Sequence, residues 1–306
     1  MQIIQIFTYI AVVVAVLAML IKALKYITAP LSFRWELYPV PHEKGRAEYG
    51  GSYLEELDWW SKKRKSSPFT ELKEMASEIF FLKGVYRHNR RVWISSLPFH
   101  LGLYLCIGWL LLLLTGSIFE IFNISLCTSS CVLGSIIYYL TIPVGYIGLV
   151  LTALGAIGLL LWRLSDPAQR KYNSPADYIN LLIVLAVVIV ALAAHLTSDP
   201  VFDSLRAYVK SLLIFSPVLS PGILFTIELW LVAFLIMYIP LTRMSHFVAK
   251  YFLYHSVRWN DEPNERGGKI EKQLLKQFNQ KVSWSASHIQ SGKTWSEIGT
   301  ETKNEE

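Results

Sequence analysis

Hydrophobic and polar positions along this chain fall into blocks rather than interleaving. Five mostly apolar stretches, at 3–21, 97–117, 133–162, 178–196 and 223–241, are separated by segments that carry nearly all the charge. Each stretch approaches or exceeds the roughly 20 residues that a helix needs to cross a hydrocarbon core about 30 Å thick. The pattern predicts an all-α membrane protein, a bundle of five transmembrane helices, in which the long third span tilts to fit the bilayer.

The positive charges set the expected orientation. Of the 29 Lys and Arg, only Arg206 and Lys210 lie in the two loops opposite the polar segment 22–91. Short loops rich in Lys and Arg stay in the cytoplasm, so the N-terminus is expected outside and the C-terminus in the cytoplasm. Lys22 and Lys25 follow the first span directly and no basic segment precedes it, which predicts a retained first helix rather than a cleaved signal peptide. The chain then divides into a first transmembrane helix at 1–25, a cytoplasmic insert at 26–91, a four-helix transmembrane region at 92–257 and a cytoplasmic tail at 258–306.

Composition agrees with the lipid bilayer as the principal partner. Hydrophobic residues make up 53% and charged residues 17% of the chain, and the mean hydropathy is +0.37; an ordinary soluble domain is less apolar. The net charge of +6 is largely topology and calls for no nucleic acid. Cys127 and Cys131 share an outer loop where an oxidising compartment permits a disulfide, although the spacing is short. Without a Cys-x-x-Cys-His motif or a cysteine cluster, neither covalent c-type haem nor an iron–sulfur centre is expected in this chain.

Three polar pieces carry more than connection. The segment 22–91 mixes 14 basic with 9 acidic residues and contains a helix-like run from Phe69 to Phe81. The tail keeps Trp259, Trp284 and Trp295 in a polar context, a spacing that suits docking on another protein; the plainer reading is a disordered tail with incidental Trp. The loop containing Asp199, Asp203, Arg206 and Lys210 with Phe202, Leu205, Tyr208 and Val209 predicts a short amphipathic helix at the outer interface.

Candidate chemistry rests on the histidines. Of seven, only His100, His195 and His246 fall in or beside spans, where an imidazole costs free energy unless the bundle uses it. His100 is near the inner end of the second span and His246 near the inner end of the last, so axial ligation of one haem iron is the simplest use they share. Gly102 and Gly108 thin the second span for a flat macrocycle, Arg243 can pair with a propionate, and Pro240 frees the carbonyl of Ile236 and is expected to kink the last helix. The competing reading is that either histidine only hydrogen-bonds a neighbouring helix.

Phe99-His100-x-Gly102, Trp162-Arg-Leu-Ser-Asp-Pro followed by Ala176-Asp177-Tyr178, and Pro240-Leu-Thr-Arg-Met-Ser-His246, together with the five-span layout, resemble the cytochrome b gamma subunit of respiratory nitrate reductase. The long insert and the tail around Trp284 and Trp295 resemble a subgroup: the membrane cytochromes paired with heterodisulfide-reductase-like iron–sulfur subunits, including the quinone-linked complex of dissimilatory sulfur metabolism. The resemblance implies two b haems between the second and fifth helices, with His100 and His246 matching the ligands of the inner one. The positions matching the outer ligands hold Leu110 and Glu228, so one b haem is expected.

The resemblance further implies a multi-pass protein of the cell's inner membrane. It would be an electron-transfer subunit without complete enzyme activity alone, exchanging electrons between menaquinone and a cytoplasmic iron–sulfur subunit held by the insert and tail. Eighteen residues are five helical turns, so Glu228 is expected on the same face of the last helix as His246, about 27 Å along the axis from it. Glu228, with His195 as second member, is then the candidate to take a proton from the quinol; the plainer reading is that Glu228 only hydrogen-bonds across helices or reaches the outer headgroups. Two alternatives remain: a diheme form recruiting His195, and a haem-free anchor or transporter, of which the transporter is opposed by the odd number of spans and the lack of a visible inverted repeat.

Overall fold

The computed structural model describes residues 2–29, 55–62, 67–124, 126, 131–217, 222–254 and 264–301. The middle of the insert, the start of the tail with Trp259, and Cys127 lie outside the described residues. Among those described, the structure is helical, with isolated bridges but no strand. It contains five helices long and apolar enough to cross a membrane. The chain divides into two compact units, one of Met1–Ala18 and Met75–Ser245, the other of Met19–Glu74 and His246–Glu306.

Helix α1 runs Ile3–Ile27, and its first part belongs to the first unit. After α2 (Pro68–Phe81) and α3 (Lys83–His88), α4 spans Arg90–Ile121 and α5 spans Val132–Ser165. At 32 and 34 residues, these two are about 48 and 51 Å long at 1.5 Å per residue, well beyond a hydrocarbon core. Backbone hydrogen bonding carries them past the ends of their apolar runs into polar sequence. Asn89 caps α4 by accepting the N–H of Val92 at 3.2 Å, and the Sγ of Cys131 accepts the N–H of Gly134 at 3.3 Å at the start of α5.

Helices α4 and α5 pack antiparallel along a seam of small residues. A Cβ placed on Gly155 would lie 2.3 Å from the backbone nitrogen of Phe99, one on Gly102 would lie 2.4 Å from that of Thr152, and one on Gly145 would lie 2.7 Å from Nε1 of Trp109. The space beside Gly102 is therefore filled by α5. This corrects the expectation that Gly102 opens the helix to a macrocycle: its missing side chain serves helix packing.

The segment that carried part of the family resemblance builds the corner between α5 and α7. Asp166 caps α6 (Pro167–Tyr172) through the N–H of Ala168 at 2.9 Å. At the start of α7 (Pro175–Ser198), Asp177 accepts both the N–H and the hydroxyl of Ser174 at 2.8 Å. Arg163 donates to the carbonyl of Asp177 at 2.6 Å, which ties the end of α5 to the start of α7.

Helix α8 (Asp203–Leu213) forms where the loop pattern suggested one, but it turns charge inward. Arg206 is buried, paired with Glu120 at 3.0 Å and with Asp203, and lies 5.0 Å from the centre of the Tyr138 ring. The start of α1 clamps α8 through polar contacts. Thr8 bonds the Tyr208 hydroxyl at 2.8 Å, Tyr9 donates to the carbonyl of Leu212 at 2.7 Å, and Gln5 donates to Ser211 Oγ at 2.9 Å and to the carbonyl of Ser216 at 2.8 Å. Gln5→Leu removes two of these bonds and is expected to lower unfolding stability in detergent by about 1–2 kcal/mol; no change in a denaturant titration would show that α1 is held by apolar contact alone.

Helix α9 (Ile223–Leu241) ends at Pro240-Leu241, and Thr242 is extended with φ −117° and ψ −178°. A 3₁₀ turn (Arg243–Ser245) follows, then the short helix α10 (His246–Ala249) in the second unit. Glu228 and His246 are therefore not on one continuous helix, and the five-turn alignment expected of them does not hold. Proline cannot supply the backbone donor to Ile236, and the helix stops one residue later.

The helix-like run of the insert is α2, and its end reaches the apolar part of α4. Tyr104 donates to the carbonyl of Ile79 at 3.0 Å and stacks edge-on against Phe80, while Trp93 Nε1 donates to the carbonyl of Phe81 at 2.8 Å.

In the second unit, the tail from 264 is folded. Helix α11 (Lys269–Phe278) leads into a turn in which Val282 donates to Lys293 and Gly292 donates to Val282, both at 2.8 Å, before α12 (Trp295–Thr300). Val282 and Ile289 are buried, and the rings of Trp284 and Trp295 meet edge to face at 6.3 Å. Thr294 and Glu297 form a capping box at the start of α12, so the tryptophans belong to a small ordered module.

Candidate functional site

Within the first unit, the last turn of α7 and the second turn of α9 bring two ionisable side chains together in an apolar interior. His195 Nε2 lies 2.9 Å from Glu228 Oε1. On the other edge of the ring, Nδ1 faces Asp199 Oδ2 at 3.4 Å, an ion-pair distance that is long for a hydrogen bond. Relative exposure is 0% for His195, 1% for Glu228 and 4% for Asp199. The imidazole thus sits between two carboxylates, one on a neighbouring span and one a helical turn along its own chain.

Asp199 is the residue that ends α7, and its carboxylate accepts the N–H groups of Ser204 at 2.9 Å and Leu205 at 3.1 Å. These are first-turn donors of α8, where a helix N-terminus favours negative charge. Burial alone would raise the Asp199 carboxyl. The interaction with His195 and the two backbone donors more than offset that and hold it below the ordinary aspartate range.

Aromatic rings enclose the imidazole. Phe202, Trp109 and Phe225 have ring centres 4.6, 5.8 and 6.1 Å from that of His195, each steeply inclined to it. Phe202 takes φ 62° in the tight turn into α8, which directs a fully buried ring against the histidine. Gly145 leaves room for this arrangement, because a Cβ there would strike both Trp109 and Phe202.

Buried polar atoms normally find partners. Among the described residues, five buried side-chain atoms make no hydrogen bond, and three of them belong to this cluster: Trp109 Nε1, His195 Nδ1 and Glu228 Oε2. Such concentration marks a place where polar capacity is held in reserve. The arrangement can accept a proton at Glu228, pass it through an imidazole and deliver it to Asp199.

His100 lies apart from this cluster, nine residues before Trp109 on α4. Its Nδ1 is 2.7 Å from the carbonyl oxygen of Ser96, one turn back. A carbonyl can only accept, so Nδ1 carries the hydrogen and the lone pair is on Nε2. This backbone-anchored tautomer is the one that metal-binding histidines commonly adopt, and it suits His100 to axial ligation. His246 is exposed and belongs to the second unit. Arg243 is also exposed and lies within electrostatic reach of Asp177, as does Arg163.

His195 fits a haem ligand poorly, since both ring nitrogens face carboxylates and three aromatic rings close around it. Leu110, where the family resemblance expects a further ligand, is 43% exposed on the outside of its unit. Of the sequence candidates, the structure brings His195 and Glu228 into contact. Asp199 was not among the sequence candidates, although its position four residues after His195 is the spacing that puts two side chains on one helical face. Comparison of the chain with protein-family models, curated proteins and solved structures returns no match.

Proposed function

We propose that this chain is a membrane cytochrome b subunit that exchanges electrons between menaquinone and a cytoplasmic iron–sulfur subunit of the heterodisulfide-reductase type. Its place would be the cell's inner membrane, with the N-terminus outside and the C-terminus in the cytoplasm. The observation that carries the reading is the buried His195–Glu228 pair: an acid–base couple within an apolar helix bundle is costly and is kept where protons must move. The His100 tautomer and the family resemblance of the five-span layout support it independently.

A b haem supplies reversible one-electron chemistry when bound. The resemblance assigns His100 and His246 as the ligands that would hold it and Arg243 to a propionate. Glu228 takes the proton that a quinol hydroxyl gives up, while His195 holds the carboxylate in place and shares the charge. The folded tail module, with Trp284 and Trp295 half exposed, offers the aromatic anchors on which a cytoplasmic partner docks.

Haem-to-protein stoichiometry and reduced-minus-oxidised spectra of the purified full chain test the reading. One b haem per chain is expected, lost in His100→Ala and in His246→Ala, with folding retained by circular dichroism. Two haems would establish the diheme form. A folded, colourless wild-type protein would sink the cytochrome reading and leave a haem-free anchor.

A further inference from the structure

We propose that Asp199 is the outer terminus of a proton relay running Glu228–His195–Asp199, which connects the quinol's proton acceptor to the water on the α8 side of the membrane. The proposal rests on the quinone reading above for its proton source, but its wiring is argued from geometry. Three features carry it.

The three side chains stand in series, with Glu228 Oε1 hydrogen-bonded to His195 Nε2 at 2.9 Å and Asp199 Oδ2 at ion-pair distance, 3.4 Å, from Nδ1, so that a small approach of the two closes the path. Imidazole is suited to the middle position because it accepts at one nitrogen and donates from the other. The two ends differ in the way a path requires. Glu228 is buried with Oε2 unbonded, whereas Asp199 lies between exposed Ser198 and Pro200 and keeps its carboxylate charged through the α8 donors. A carboxylate held ionised accepts a proton from an imidazole and surrenders it readily to water.

A menaquinol hydroxyl gives its proton to Glu228 as the O–H bond breaks. Glu228 passes a proton to Nε2 to give the imidazolium, the Nδ1 proton leaves for Asp199, and Asp199 releases it to outer water; the imidazole, left with its hydrogen on Nε2, returns to the Nδ1–H tautomer by proton exchange with water before the next transfer. Each quinol gives up two protons by this route and becomes the quinone. Its two electrons would be taken one at a time by the b haem that His100 and His246 would hold, the one-electron carrier of the reading above.

Hydrogen–deuterium exchange of the Glu228 carboxyl tests the path without haem turnover or a quinone. The detergent-purified full chain is moved into D2O at a pH where the infrared band of protonated Glu228 is present, the band being identified by its loss in Glu228→Gln. Asp199→Asn is expected to slow its exchange about tenfold or more, Asp199→Glu to restore it, and Lys210→Gln, at the same end of the bundle, to leave it unchanged. Wild-type exchange in Asp199→Asn, or no Glu228 band at any pH, overturns the relay. Haem reduction by menadiol in the wild-type protein reports separately on the quinone reading: its failure with intact exchange behaviour would remove the quinol as proton source and leave the wiring standing.

Discussion

Gly155→Leu is expected to prevent the first unit from assembling, so that the variant elutes as aggregate in fluorescence-detected size exclusion while the wild-type chain is monodisperse. The Cβ alone would lie 2.3 and 2.5 Å from the backbone nitrogen and Cα of Phe99, distances that no rotamer change relieves because the obstacle is main chain. Helices in lipid associate by close packing rather than by expulsion of water, so a wedge at the closest approach of α4 and α5 removes the attraction along the whole seam. Gly155→Ala carries the same Cβ against the Phe99 main chain and should be destabilised by more than the roughly 1–3 kcal/mol usual for overpacking, though less than Gly155→Leu. Gly222→Ala and Gly299→Ala, where a Cβ meets nothing within 4 Å, are the controls and should stay within about 0.5 kcal/mol of wild type. A monodisperse Gly155→Leu with an unchanged unfolding midpoint would mean that α4 and α5 do not pack as described.

The five spans were legible because a bilayer demands one simple thing of sequence, a sustained apolar run, and the fifth stretch coincides with α9 at both ends. The ends of α4 and α5 were less so, because hydropathy falls to nothing in polar layers where helical hydrogen bonding continues. The break after α9 was half legible: Pro240 signalled a disturbance, but a kink and a termination look alike until the extended backbone at Thr242 is seen. Gly102 illustrates a different ambiguity. A missing side chain permits close approach by anything, and only the position of Thr152 on α5 decides that a helix occupies the space. Arg206 reads in sequence as a solvent-facing charge of an amphipathic helix; its burial depends on Glu120, 86 residues away, which no local pattern reports. His195 and Glu228 were recognisable one by one as costly intramembrane groups, but their pairing required the packing of α7 on α9.

That pairing makes a sharp energetic prediction. Glu228→Leu is expected to lower stability by roughly 3–5 kcal/mol, because it leaves a buried imidazole facing hydrocarbon on the side where a carboxylate stood. His195→Leu should cost a similar amount by stranding Glu228, whose Oε2 already lacks a partner. The double substitution His195→Leu/Glu228→Leu should recover most of the loss, since Asp199 keeps the N–H donors of Ser204 and Leu205 and two leucines fit among Trp109, Phe202 and Phe225. A cycle of the four proteins by denaturant titration in detergent isolates the coupling. Additive single costs would show that the two side chains do not depend on one another. A double variant as stable as wild type would show that the bundle does not need the pair in order to fold, as the proposed proton-carrying role requires.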